Sequence, residues 1–146
     1  MTYFRTLRLG DTDAAGVVYF ASLLSICHEA YEFALEQENI PLRTFLSHSE
    51  IILPIVHAEI DFFAPLQCGD RLLIHFSSHL LNEYGFELTY QVFLDHLERR
   101  SERPAAQALT RHLCIHPQTR KKVPLSPALS QCLEKWHDNP FSVSPS

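Results

Sequence analysis

The chain has 146 residues, 46% of them hydrophobic and 20% charged, with a formal net charge of −5. That length suits one domain of ordinary size, and such a chain buries roughly two thirds of its unfolded surface without a disulfide or metal staple. The acidic balance argues against nucleic acid as the main partner, since neutralising phosphates needs a basic face.

Cys27, Cys68, Cys114 and Cys132 lie far apart and form no Cys-x-x-Cys pair, so free thiols in a reducing cytoplasm are expected. Met1-Thr2-Tyr3-Phe4-Arg5 lacks a basic region followed by an apolar one, and no apolar run approaches a membrane span. Neither a signal peptide nor membrane insertion is therefore expected.

Residues 2–9 alternate and suggest a short strand. Gly10-Asp11-Thr12-Asp13-Ala14-Ala15-Gly16 breaks the alternation with turn formers. Over residues 17–37 the period becomes helical, with Phe20, Leu23, Leu24, Cys27, Tyr31, Ala34 and Leu35 on one stripe and Ser22, Ser25, Glu29, Glu32 and Glu36 on the other. Four strands follow, over 55–63, 71–81, 86–97 and 105–116, joined by turns that favour an antiparallel meander. A short helix is expected over 126–137, and the single domain spans 1–138 with a disordered tail at 139–146. The architecture is α+β, one long helix covering one face of an antiparallel sheet of about five strands. The exposed sheet edges point to a homo-oligomer, a dimer paired edge to edge and extendable to a tetramer.

The loop before the long helix carries the chemistry. Asp-x-Asp-x-x-Gly matches the opening of a calcium loop, but Ala15 and Ser22 stand at two ligand positions, so the match fails. The nine histidines form no ligand cluster, and no metal or cofactor is expected. No Gly-x-Ser-x-Gly elbow is present. Two readings of Asp13 stay open. It could cap the helix through backbone N–H groups. It could instead attack a thioester carbonyl, or activate water to do so, while the N–H groups of the helix start stabilise the oxyanion. In the second case Gly16 lets the backbone approach the carbonyl.

The run from Asp11 to Phe20 resembles the signature of the 4-hydroxybenzoyl-CoA thioesterase branch of the hotdog superfamily: Asp-x-Asp, two small residues, Gly, two apolar residues and an aromatic pair. The strand, helix and four-strand order matches the hotdog layout along nearly the whole chain. A narrower resemblance, to the 1,4-dihydroxy-2-naphthoyl-CoA thioesterases of phylloquinone (vitamin K1) biosynthesis, lies in Cys27-His28-Glu29-Ala30-Tyr31-Glu32, in the segment from Leu53 to Pro65, in Cys68-Gly69-Asp70-Arg71-Leu72 and in the segment from Arg120 to Leu125.

The resemblance implies a hydrolase of an aromatic acyl-CoA with Asp13 as nucleophile or general base. It places carbonyl polarisation at a backbone N–H of Phe20 or Tyr19, and gives Asp11 and Gly16 the shaping of the loop. Glu29, on the long helix, is the alternative base or a pocket residue, and against it stands a plain solvent-facing carboxylate. His57 either lines the acyl pocket or is a structural histidine. The branch's basic run near the third meander strand is missing from Leu81-Asn82-Glu83-Tyr84-Gly85-Phe86. That leaves Arg120, Lys121 and Lys122 as candidates for the CoA phosphates, against an ordinary solvated cluster. Arg99, Arg100 and Arg103 sit among acids and are weaker candidates. Alternative activities are a short- or medium-chain acyl-CoA or acyl-carrier-protein thioesterase, and a non-catalytic acyl-thioester-binding module.

Overall fold

A computed structural model describes residues 1–43, 51–95 and 103–137. The expected tail at 139–146 lies outside them, as do Arg99 and Arg100.

The elements run β1 (Thr2–Thr6), a 3-10 turn (Leu9–Asp11), α1 (Phe20–Gln37), β2 (Ile55–Phe62), β3 (Arg71–Asn82), β4 (Gly85–Leu94), β5 (Ala106–Leu113) and α2 (Pro127–Lys135). The strands form one antiparallel sheet in the order β1-β3-β4-β5-β2. The chain leaves β1 at one edge and returns through β2 at the other, with α1 running between them.

Alternation along the central strands decides the faces. Leu72, Ile74 and Phe76 of β3, Phe86, Leu88, Tyr90 and Val92 of β4, and Ala106 and Ala108 of β5 are buried against α1. Leu23, Ile26, Cys27, Ala30, Tyr31, Ala34 and Leu35 supply the helix's half of this core. Each fully buried aliphatic side chain here contributes roughly 1.5–3 kcal/mol. The tight turn into β4 depends on Gly85, because a Cβ at that position would stand 2.9 Å from the His112 carbonyl oxygen.

α2 starts at Ser126, whose side chain accepts the Leu129 N–H. Its last turn seals the far end of the core with Trp136, whose ring packs 5.6 Å from Phe76 and 6.1 Å from Tyr31. The other face of the sheet carries polar side chains, among them Glu59, Asp61, His75, Thr89 and Gln107, and no element of the described chain covers it. No helix among the described residues is long and apolar enough to cross a membrane.

Candidate active site

The loop between β1 and α1 is held by backbone bonds on both sides. Leu7 N–H donates to Asp70 O and receives Gly69 N–H on its own carbonyl, each at 2.8 Å. Val18 N–H donates to Leu66 O at 2.7 Å. These bonds fasten the loop to the segment that leads from β2 into β3.

Within the loop, Asp13 N–H donates to Val17 O at 2.9 Å and Gly16 N–H to Asp13 O at 3.0 Å. The Asp13 carboxylate accepts the Ala15 N–H on Oδ1 at 2.8 Å. Asp13 therefore closes an Asx turn of its own loop. The residue at the N-cap of α1 is Tyr19, and α1 has no side-chain cap. This removes the capping alternative for Asp13 and leaves its Oδ2 without a hydrogen bond among the described residues. Gly16 is required by its φ of 81° and not by close packing, since nothing lies within 4 Å of where a Cβ would stand.

α1 starts with its first-turn N–H groups unserved, as any helix does. Tyr19 N–H, however, donates to the Asp11 carbonyl at 2.9 Å. The Tyr19 amide, expected alongside that of Phe20 to polarise a carbonyl, is thus engaged within the loop. No hydrogen bond among the described residues occupies the Phe20 N–H.

Asp13, Tyr19, Phe20, Phe62, Phe63 and Pro65 line a groove of about 550 Å³. Tyr19, Phe20, Phe62 and Phe63 are 46%, 55%, 42% and 60% exposed. Four partly bare aromatic rings beside a carboxylate and a free N–H suit a flat acyl group. Asp11, within the same loop, is bonded on both sides. Its carboxylate accepts the Arg8 N–H at 2.8 Å and forms an ion pair with Arg5 at 2.7 Å. The guanidinium beside it holds the Asp11 carboxyl below its usual range.

The other expected residues lie outside the groove. Glu29 does not line the groove; it is engaged by Arg5 Nε at 3.1 Å and by the Tyr3 hydroxyl at 3.2 Å. His57 does not line it either. It pairs with Arg111 across the sheet, while Phe62 pairs with buried Ala106, so strand alternation sets His57 on the opposite face, where it bonds Glu59 at 2.7 Å. Arg120, Lys121 and Lys122 form the tip of a hairpin in which His116 N–H donates to Lys121 O, with Arg120 at a φ of 61°. That hairpin adjoins the Ile55 end of β2 through the Ile52, Ile115 and Lys122 bridges, roughly 23 Å along the strand from Phe62.

Pro65 and Leu66 of the groove were missed by the sequence reading, as was Arg5. The sequence signal for Arg5 was a cation within a strand pattern, close to the acids Asp11 and Asp13. No group of three or more His, Cys, Asp or Glu side chains among the described residues is placed to hold a metal ion.

Residues 7–133 match the Thioesterase-like superfamily, and the chain belongs to that family. It is a thioesterase-like protein of hotdog fold, a single long helix wrapped by an antiparallel sheet. It is 56% identical over 137 residues to a 1,4-dihydroxy-2-naphthoyl-CoA hydrolase of Rippkaea orientalis, covering 94% of this chain and 97% of that one. A hydrolase of the same description from Gloeothece citriformis is 53% identical, with 92% of each chain covered. Among solved structures, a 1,4-dihydroxy-2-naphthoyl-CoA thioesterase from Synechocystis superposes with a TM-score of 0.83 at 42% identity, covering 90% of this chain and 93% of that one.

Proposed function

We propose that the protein hydrolyses 1,4-dihydroxy-2-naphthoyl-CoA to 1,4-dihydroxy-2-naphthoate and CoA, a step of phylloquinone (vitamin K1) biosynthesis. The observation that carries this is the pairing, in one aromatic-walled groove, of the Asp13 carboxylate with the unserved Phe20 N–H. The bicyclic acyl group lies between the rings of Tyr19, Phe20, Phe62 and Phe63. Phe20 N–H donates to the thioester oxygen and stabilises the negative charge that builds there.

Asp13 acts by one of two routes through the same oxygen. As nucleophile it adds to the carbonyl carbon, expels the CoA thiolate and leaves an acyl–carboxylate anhydride that water opens. As general base it takes a proton from water, whose oxygen adds to the carbon. In both, the carbon–sulfur bond breaks, one water is consumed, and the thiolate leaves without an acid to protonate it. Arg120, Lys121 and Lys122 take the CoA phosphates, which lie at the far end of an extended pantetheine arm. Arg5 occupies Glu29, which leaves Asp13 as the carboxylate for the chemistry.

Turnover over a panel of CoA thioesters tests this, with aroyl, short-chain and medium-chain acyl groups compared by thiol release. The expected ranking puts the dihydroxynaphthoyl thioester first. No hydrolysis of any aroyl-CoA would refute the assignment.

The protein works as a homo-oligomer in the cytoplasm, where its four free thiols stay reduced. β2 is an outer strand with one edge unpaired, and Ile55 and Val56 on it are 43% and 54% exposed. A second copy pairing along that edge covers them and extends the sheet. Light scattering on the purified chain should give two or four times the monomer mass; a monomer at micromolar concentration rejects this arrangement.

A further inference from the structure

Arg5 lies outside the groove, yet from β1 it reaches both the loop and the helix that line it. From β1 its Nη1 reaches Asp11 Oδ2 at 2.7 Å and Nη2 reaches Asp11 Oδ1 at 3.2 Å, a two-pronged contact with the loop. A further bond from Nη1 to Thr6 O, at 2.6 Å, fixes the guanidinium on its own strand. Its Nε edge takes Glu29 Oε2 on α1 at 3.1 Å, and the Tyr3 hydroxyl donates to that same oxygen. Asp11 in turn supplies the carbonyl that receives the Tyr19 N–H, one residue ahead of Phe20. Two residues beyond Asp11 stands Asp13.

We propose that Arg5 is a positioning residue for the hydrolysis. Its guanidinium fixes Asp11, and through Asp11 it sets the spacing between the Asp13 carboxylate and the Phe20 N–H, while its Glu29 bond holds α1 to the same strand. This rests on the thioesterase role given to the groove.

Geometry explains why the residue is arginine. One planar fork meets both oxygens of Asp11 and still presents Nε to a second carboxylate, which a lysine ammonium cannot do. The Arg5 and Asp11 side chains are 21% and 16% exposed, so the pair is part-buried, and its contacts reach only the loop, the helix and its own strand. Its effect is accordingly local, on the loop and the helix start. The surrounding charges leave no room for Arg5 to bind substrate phosphate, because two carboxylates already neutralise it.

The test uses the full-length protein with Arg5→Met, Arg5→Lys and Asp11→Asn. Three quantities are read: kcat and KM on the dihydroxynaphthoyl thioester, the thermal midpoint, and amide hydrogen exchange at Tyr19 and Ala15. Arg5→Met is expected to lower kcat about 10- to 100-fold with KM little changed, to leave the thermal midpoint within a few degrees, and to speed exchange at Tyr19. Arg5→Lys recovers only part of kcat. Combining Arg5→Met with Asp11→Asn adds little beyond either alone, since both break one contact. Unchanged kcat in Arg5→Met overturns the proposal, and so does a kcat loss that tracks a falling thermal midpoint while Tyr19 exchange stays slow. If the wild type turns over no CoA thioester, the proposed function falls instead, and Tyr19 exchange alone then decides whether Arg5 sets the loop.

Discussion

Asp13 accepts the Ala15 N–H on a single oxygen, Oδ1, at 2.8 Å, so one carboxylate oxygen builds the turn while the other has no hydrogen-bond partner among the described residues. An asparagine keeps the acceptor for Ala15 and removes the negative charge. Asp13→Asn is therefore expected to fold with an unchanged thermal midpoint and to lose about 10²- to 10⁴-fold in kcat. Measured side by side with the wild type, near-normal turnover would take Asp13 out of the mechanism. A single turnover in ¹⁸O-water separates the two routes. Attack by Asp13, with water opening the anhydride at the Asp13 carbonyl, delivers an unlabelled oxygen to the first product, and general-base catalysis delivers a labelled one.

The basic hairpin at Arg120, Lys121 and Lys122 stands at the far end of β2 from the aromatic groove. Replacing all three by alanine should raise KM for the CoA thioester about 10-fold or more, as expected for lost charged hydrogen bonds, with kcat preserved. A pantetheine thioester, which has no nucleotide phosphates, should show no such change. Equal effects on both substrates would return the hairpin to the status of a solvated charge cluster.

His112 gives the fold a pH dependence with a definite sign. It is 1% exposed, stacked on Phe86 at 4.7 Å, with Nε2 2.9 Å from Thr110 Oγ1. Burial lowers its pKa from 6.5 to about 4, with His28 adding in the same direction. The folded chain thus keeps it neutral where the unfolded chain takes up a proton. Its contribution is fully present above about pH 6.5 and is lost as the pH falls towards 4, amounting to about 3 kcal/mol over the window. Urea unfolding at pH 7 and pH 4.5 should show that loss in the wild type and a flatter profile in His112→Gln. Equal stability of the wild type at both pH values would contradict it.

Much of this architecture was legible because the core is periodic. Leu72, Ile74 and Phe76, then Leu88, Tyr90 and Val92, then Ala106 and Ala108 keep strict two-residue alternation, and their strands fall within a few residues of expectation. Phe20 shows the limit of such patterns. It shares the helical stripe of Leu23 and Cys27, yet as the first residue of α1 it overhangs the groove and is 55% exposed. His57 was assignable to a strand but not to a face, because which side of β2 meets the helix depends on its pairing with β5.

In the site, spacing alone left Asp13 between cap and catalyst, and resemblance favoured the second. The geometry adds that the helix begins at Phe20, too far along for Asp13 to cap it. The Arg5, Asp11 and Glu29 junction and the buried His112 arise from contacts distant in sequence, for which no local pattern exists.

α1 begins on Tyr19 with no serine, threonine or aspartate to serve its first N–H groups. Most helices fill that position, and doing so is worth about 1 kcal/mol. In the proposed reaction the open Phe20 N–H is a reserved seat, and the thioester carbonyl that takes it completes the helix as it is bound. A chain given Tyr19→Ser would gain an acceptor for the Ala21 or Ser22 N–H and a sturdier helix start, while the Phe20 N–H, nearer the end, would stay open to a carbonyl.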